Sequence, residues 1–251
     1  MAIEVFNRYE YKYILERGTY NQILKVIQQH MQSDPYNKDG KPYTIANIYY
    51  DTLDDALIRA SLEKPSYKHK LRMRSYGVPN QNSKVFLEIK KKYKGLVNKR
   101  RTTLCLNEAY NFAETGTLPA IKNYMNEQVI KEISYFLDIY SLVPKTYIAY
   151  DRTAFFEKDN NDLRISFDRS IRTRRTNVRL EYGDEGKILL AGDVYLMEIK
   201  TSSAMPLWLT NELTRLNIQK MSFSKYGTEY KNYISEQNSI KSLKAMCKMS
   251  V

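Results

Sequence analysis

Histidine and cysteine are scarce in this 251-residue chain, which has two of each. Cys105 and Cys247 lie far apart with no Cys-x-x-Cys. Neither a disulfide framework nor a zinc site is expected, and the usage fits a reducing compartment. His30 falls in a predicted helix and His69 on the apolar face of a predicted strand. Both read as packing or surface residues, which leaves poor material for histidine-based proton transfer. No apolar run approaches the roughly 18 residues of a membrane-spanning helix. The opening "MAIEVFNRYEYKY" lacks the apolar stretch of a secretory signal. A cytoplasmic protein is expected, with any membrane role met at the inner face of the cell membrane or by a separate partner. There is no internal repeat, low-complexity block or Pro/Gly/Ser-rich linker, so one domain over residues 1–251 is expected.

What is abundant is positive charge. Lys and Arg number 40 against 28 Asp and Glu, a formal net charge of +12. Such an excess favours nucleic acid, phosphate compounds or acidic lipid as partners. Hydrophobic residues make up 43% and charged residues 27%, a globular rather than a disordered balance.

The charge is patterned. In "YKHKLRMRSYG", residues 67–77, Lys68, Lys70, Arg72 and Arg74 recur at every second position, with Leu71 and Met73 between them. A strand with this alternation has one cationic and one apolar face. The same sorting extends to other predicted strands. One face carries Glu10, Lys12, Lys70, Arg72, Arg74, Glu88, Lys90, Lys92, Lys99, Arg101, Arg152, Arg164, Asp168, Glu198 and Lys200. The opposite faces carry Leu71, Met73, Val85, Leu87, Ile89, Leu163, Ile165, Phe167, Met197 and Ile199.

Helical spacing predicts a helix after Thr19, a short one around "TLDDALIRASLE" with Leu53, Leu57 and Ile58 inward, and helices within 119–141, in "PLWLTNELTRLNI" and over about 226–248. The class is α+β, with antiparallel strands in two groups and helices packed outside.

A half-solvated sheet would also alternate. A solvated face, however, usually mixes signs, and like charges on neighbouring strands repel. Closing the sheet into a barrel with helices outside would turn the charged face inward and make a cationic channel. Arg forks and Lys point charges neutralise phosphate oxygens. Carboxylates among them suit a hard divalent cation. Together these would stabilise charge on a transferring phosphoryl group.

At these residues the sequence resembles the VTC domain, the polyphosphate polymerase branch of the triphosphate tunnel metalloenzymes, in a stand-alone bacterial form. The matching segments are "YEYKYIL", "NIYYDT", "LRMRSYG", "FLEIKKKYKG", "NKRRTT", "DRTAFF", "LRISFD", "LMEIKT" and "FSKYGTEY", in family order over roughly residues 7–230. The resemblance implies an eight-stranded, tunnel-shaped antiparallel β-barrel. It also implies transfer of the ATP γ-phosphate to a growing polyphosphate chain with release of ADP. Lys12, Arg72, Arg74, Lys90, Arg152 and Lys225 then fall at catalytic positions. Lys70, Glu88, Lys99, Arg101, Arg164, Lys200 and Tyr226 are assigned to phosphate or nucleotide binding. Glu198 takes the metal position, with Mn²⁺ or Mg²⁺ implied. ATP and inorganic polyphosphate are the implied partners, and export of the product would need a separate membrane protein.

Two positions depart from the family's patterns. Arg8 stands where the phosphohydrolase branches carry the first glutamate of E-x-E-x-K, which argues against the CYTH-type triphosphatases and cyclases. Ser222 stands where the eukaryotic polymerases carry a lysine, and Lys220 is the nearest substitute. The alternatives are therefore a polyphosphate- or nucleotide-binding module without turnover and a tunnel-type inorganic triphosphatase. A third alternative, single-stranded nucleic-acid binding, is suggested by 22 tyrosines. Most tyrosines are expected opposite the cations, as packing residues. "DRSIRTRRTNVRL" reads as a basic loop, solvated or acting as a funnel for polyanions. Lys241, Lys244 and Lys248 place positive charge on the last helix, read as a solvated face. Removal of Arg72 or Arg74 is expected to leave the fold intact and to relieve repulsion.

Overall fold

The computed structural model describes residues 9–37, 40–94, 96–158, 162–190 and 193–249. Arg8 lies outside them, as do the side chains of Lys244, Cys247 and Lys248. Among the described residues ten antiparallel strands form one sheet. Eight make a continuous path in the order β1 (Tyr9–Glu16), β10 (Val194–Thr201), β8 (Arg164–Arg174), β7 (Val143–Glu157), β3 (Tyr43–Asp51), β4 (Tyr67–Tyr76), β5 (Lys84–Tyr93) and β6 (Leu96–Cys105). Two short strands, β2 (Met31–Ser33) and β9 (Lys187–Ile188), add to β7 and β8.

One ion pair reveals how strongly the sheet curls. Strands β1 and β5 lie six places apart in the path. At about 4.8 Å per strand they would be roughly 29 Å apart in a flat sheet. Lys90 of β5 nevertheless reaches Glu10 of β1 at 3.5 Å. The two ends of the sheet thus meet across a lumen, although β1 and β6 share no backbone ladder among the described residues. The seam is bridged by residues 221–224. The Met221 amide donates to the Lys12 carbonyl (2.8 Å), Lys12 Nζ donates to the Phe223 carbonyl (3.0 Å), and Lys70 Nζ lies 3.5 Å from Ser224 Oγ.

Alternation puts the apolar faces outward under helices. Helices α3 (Leu106–Thr115) and α4 (Glu127–Ile139) bury Phe112, Ile130 and Ile133 against Leu71, Met73, Leu87 and Ile89. Helices α1 (Arg17–His30) and α5 (Leu207–Arg215) bury Ile23, Ile27 and Leu209 against Ile165, Phe167, Met197 and Ile199. Both histidines serve as packing: His30 stacks on Trp208, and His69 meets Phe136 edge-on.

Three local expectations are corrected. Helix α1 starts at Arg17, so Thr19 lies inside it and caps nothing. Leu53 is 79% exposed, because α2 (Ala56–Leu62) begins only after the turn that carries it. Helix α3 lies in a stretch not predicted as helical. Its first turn is held by an unusual box in which the Cys105 side chain stands in for the customary hydroxyl and Glu108 reaches back to the Cys105 amide at 3.2 Å.

The floor of the lumen is apolar. Helix α6 (Lys225–Met249) inserts its first turns there, and Tyr226 and Tyr230 join Ile45, Ile58, Ile148, Ile171 and Leu196. Asp51, fully buried at the end of β3, ties the parts together. It accepts the Leu57 and Ile58 amides at 2.8 and 3.0 Å and the Tyr226 hydroxyl at 2.9 Å. Asp51→Ala would strand three buried donors and is expected to cost about 2–3 kcal/mol. A thermal melt checks this, with a drop of roughly 4–12 °C for a chain of this size.

The arginine-rich segment does not form a funnel. Arg172 pairs with Asp151 (3.2 Å) and with Asp184. Arg175 holds Glu229 of α6 at 2.7 and 2.9 Å, and Arg179 meets Glu114 of α3 at 3.1 Å. Arg174 donates to the carbonyls of residues 177, 179, 183 and 185. These side chains fasten α3, α6 and the 175–190 segment to the barrel.

Candidate functional site

The lumen is organised around two buried carboxylate centres. In the first, Glu88 of β5 is fully buried, with Arg72 Nε at 2.5 Å, Lys99 Nζ at 2.5 Å and Arg74 Nε at 3.9 Å. Register explains the meeting, since Arg72 of β4 and Arg101 of β6 both sit directly opposite Glu88. Asn47 Oδ1 accepts from Arg74 Nε at 2.9 Å, and the Tyr49 and Tyr150 hydroxyls accept from Arg72 and Arg74 at 3.3 and 3.2 Å. Burial alone would push the Glu88 carboxyl up, but Arg72, Arg74 and Lys99 hold it well below the usual range. Burial, reinforced by the two arginines and opposed by Glu88, brings the Lys99 ammonium down to about 7.

The second centre pairs Glu198 of β10 with Asp168 of β8. Arg152 grips Asp168 with two hydrogen bonds, at 2.6 and 2.8 Å, and its Nη2 lies 3.5 Å from Glu198. Lys225, the first residue of α6, bridges the same carboxylates at 2.6 Å to Asp168 and 3.2 Å to Glu198. Lys200 and Lys12 complete the ring around Glu198 at 2.8 and 3.6 Å. Glu10 links Lys12 (3.0 Å) to Lys90 (3.5 Å) across the seam. Burial opposes ionisation of Glu198, yet Lys200, Lys225, Lys12 and Arg152 keep its carboxyl well below the ordinary value. Lys225 moves up against its burial because Asp168 and Glu198 favour the charged form.

Lys12, Lys90, Arg72, Arg74, Lys99, Arg152, Lys200, Lys225, Glu88 and Glu198 are thus brought together on one inner surface. Arg101 and Arg164 sit farther out, at one mouth, each over a phenylalanine ring at 4.7 Å (Phe86 and Phe156). Tyr226 is placed differently. Its ring stacks on Tyr49 at 4.8 Å and its hydroxyl is committed to Asp51, so it forms floor rather than a polar lining. Lys220 does not substitute for a lysine at Ser222, because its ammonium lies 4.6 Å over the Tyr11 ring on the outer face.

Asn47, Tyr49, Tyr150 and Asp168 line the lumen without a role assigned to them from the sequence. Alternation puts Asp168 on the polar face but assigns it no role. Tyr150 shares Arg152's parity, and that was the available signal against treating the tyrosines as packing alone. Arg74, Arg152 and Lys225 surround its ring and hydroxyl and, against the effect of burial, draw the phenol down.

The repulsion expected at Arg72 belongs to Lys70 instead. Arg72 and Arg74 share a buried counter-ion, whereas Lys70 has no carboxylate within ion-pair distance among the described residues. Burial, then Lys90, Lys68 and Lys12, bring its ammonium down to about 7, with Asp51 as the opposing charge. The folded value lies below the unfolded 10.5, so charging Lys70 costs stability. That penalty is absent above pH 10.5, grows as pH falls and is complete below about 7. Lys70→Met is therefore expected to raise the melting temperature of the ligand-free protein, more at pH 6 than at pH 9. An anion needs the charged form, so affinity for tripolyphosphate is expected to fall as pH rises from 6 to 9, with proton uptake on binding near pH 8. Calorimetry in buffers of different ionisation enthalpy measures that uptake.

Fold and lining together define a tunnel whose inner surface carries arginines and lysines around buried carboxylates. The VTC domain family model matches residues 7–234, and the chain belongs to that family. The fold is shared with solved structures, among them these two. A putative adenylate cyclase from Bacillus halodurans superposes with a TM-score of 0.54 at 14% identity, over 88% of this chain and 96% of that one. A putative adenylyl cyclase from Hippeastrum, reported with a dominant triphosphatase activity, gives 0.54 at 16% identity, over 92% and 96%. None of the curated proteins matches the chain.

Proposed function

We propose that this protein is a metal-dependent polyphosphate polymerase that transfers the γ-phosphoryl group of ATP to the end of a polyphosphate chain and releases ADP. The observation that carries this reading is the pair of buried carboxylate centres, each ringed by Arg and Lys, facing each other across one lumen. The transfer breaks the bond between the γ-phosphorus and the β,γ-bridging oxygen and forms a bond to a terminal oxygen of the acceptor. That oxygen is already ionised, so no general base is required. The protein's task is positioning and charge stabilisation. In this reading Arg72, Arg74, Lys90 and Lys99 bind one stretch of phosphate. Lys12, Arg152, Lys200 and Lys225 surround the transferring group, and Tyr150 orients the arginines.

The donor set fits a metal that arrives with its substrate. No group of three His, Cys, Asp or Glu side chains able to hold an ion exists among the described residues. A hard divalent ion in phosphoryl transfer needs only one or two protein carboxylates, the rest of its shell being phosphate and water. Glu198 would hold it, and the ion would neutralise charge on the phosphate oxygens. Mn²⁺ and Mg²⁺ both satisfy this requirement.

No helix of the described residues is long and apolar enough to cross a membrane. We place the activity in the cytoplasm, within one VTC domain, with a separate membrane protein needed for any export. A second reading is a tunnel-type triphosphatase, the activity reported for the Hippeastrum neighbour, while exposed Ser222 and outward Lys220 weigh against full polymerase competence. Incubation with γ-labelled ATP and Mn²⁺ separates the two. Label in long-chain polymer, matched by ADP, supports the polymerase. Label released wholly as orthophosphate supports the triphosphatase.

A further inference from the structure

The outer face of the barrel carries a second cavity, of about 500 Å³, within the roughly 300–1,000 Å³ that small-molecule sites occupy. It lies under α1, on β7, β8 and β10. Tyr20 and Leu24, one turn apart on α1, form one wall, and Phe155, Phe167 and Tyr195 form the other. Tyr20 stacks on Tyr195 at 3.8 Å with planes 4° apart and meets Phe167 edge-on at 5.0 Å. Thr153, also at the cavity, faces Phe167 across the ladder. Both alternate with Arg152 and Asp168, which pair on the lumen side. The sheet therefore separates this cavity from the tunnel.

Two polar groups at this cavity lack partners among the described residues. Asn37 is 6% exposed, and its Nδ2 donates to Ser33 Oγ (3.0 Å) and to the Ala154 carbonyl (2.7 Å). Those bonds fix the amide, yet its Oδ1 has no hydrogen-bond partner. A buried acceptor in that state asks for an N–H or O–H donor. Exposed Arg169 is the second group. Arg172, Arg174, Arg175 and Arg179 of the same run are all committed to protein acceptors, whereas Arg169 has no ion-pair partner among the described residues. Asp151 faces Arg169 across the ladder but is turned to Thr44 (3.0 Å) and Arg172 (3.2 Å) instead. A guanidinium fork left open beside an aromatic cavity suits the oxyanion of a ligand that has an apolar body.

We infer that this cavity is a binding site for a small organic anion, with an apolar body against the aromatic walls, a donor for Asn37 and one terminal oxyanion on Arg169. An inorganic anion satisfies Arg169 alone and leaves the walls and Asn37 unmatched. Inorganic phosphate chains therefore belong to the lumen and the organic anion to the outer cavity, and both are bound at once.

The probe is 8-anilinonaphthalene-1-sulfonate, which combines aromatic rings, an N–H and one anionic group. Its affinity is measured by fluorescence titration on wild-type protein and on Arg169→Met, with saturating tripolyphosphate present to occupy the lumen cations. Wild type is expected to bind it, and Arg169→Met to bind it roughly ten- to hundredfold more weakly through loss of a charge-assisted contact. N-phenyl-1-naphthylamine, the same body without the sulfonate, is expected to bind both proteins equally. Thr153→Phe, which fills the cavity, is expected to weaken both probes, while unchanged tripolyphosphate affinity reports an intact barrel. Sulfonate binding that is unchanged in Arg169→Met, that is displaced by tripolyphosphate, or that is absent from wild type overturns the site. If wild type binds no tripolyphosphate, the lumen reading falls, and the Arg169 comparison still decides this site.

Discussion

Glu198→Gln is expected to lower turnover about a thousandfold, since losing a metal's charge stabilisation is worth several kcal/mol at about 1.4 kcal/mol per tenfold. The side chain keeps its shape but can no longer oppose Lys12, Lys200, Lys225 and Arg152, which lie within 3.6 Å of it. The same cations remain available to phosphate, so tripolyphosphate binding should survive. The rate should lose its dependence on Mn²⁺ concentration. A variant that keeps both its metal dependence and a rate within tenfold of wild type would remove Glu198 from the metal site.

Glu88→Gln should behave in the opposite way. Glu88 is fully buried and is the shared counter-ion of Arg72, Arg74 and Lys99. Breaking a buried ion pair by removing one partner costs about 3–5 kcal/mol. For a chain of this size that lowers the ligand-free melting temperature by roughly 6–20 °C. Phosphate would restore the missing negative charge, so the rise in melting temperature caused by tripolyphosphate should exceed that of wild type. Metal dependence should be unaltered. An unchanged ligand-free melt, or a smaller ligand-induced rise, would show that Glu88 is not the counter-ion that holds this cluster. The two glutamates lie on E-x-K text of similar appearance, and only their surroundings tell them apart.

Much of the barrel was legible because strand alternation is a local property. Every apolar residue sorted outward from the sequence packs under a helix, from Leu71 and Met73 to Met197 and Ile199. The inner face followed by parity alone. Counter-ion pairing could not be read in this way, because it depends on register between strands. Sequence offers no reason why Arg72 should have a carboxylate and Lys70 none. That difference follows from Arg72 facing Glu88 across the ladder while Lys70 faces Lys90.

The basic run after residue 168 failed for a related reason. Ser170 adopts a left-handed φ of 49°, and the β7–β8 register slips there. Asp168 and Ile171 therefore both face inward although they are three residues apart, which simple alternation cannot produce. Beyond the slip the arginines turn to structural partners.

The central claim is that a phosphate chain occupies the lumen between the two carboxylate centres. A crystal structure with a non-hydrolysable ATP analogue and Mn²⁺ tests it most directly. The account predicts phosphate density along the tunnel axis, in contact with Arg72, Arg74 and Lys99 on one side and Arg152, Lys200 and Lys225 on the other, with an anomalous manganese peak at Glu198. Nucleotide bound only on the outer surface, with those six cations still paired to Glu88, Asp168 and Glu198 alone, would contradict it.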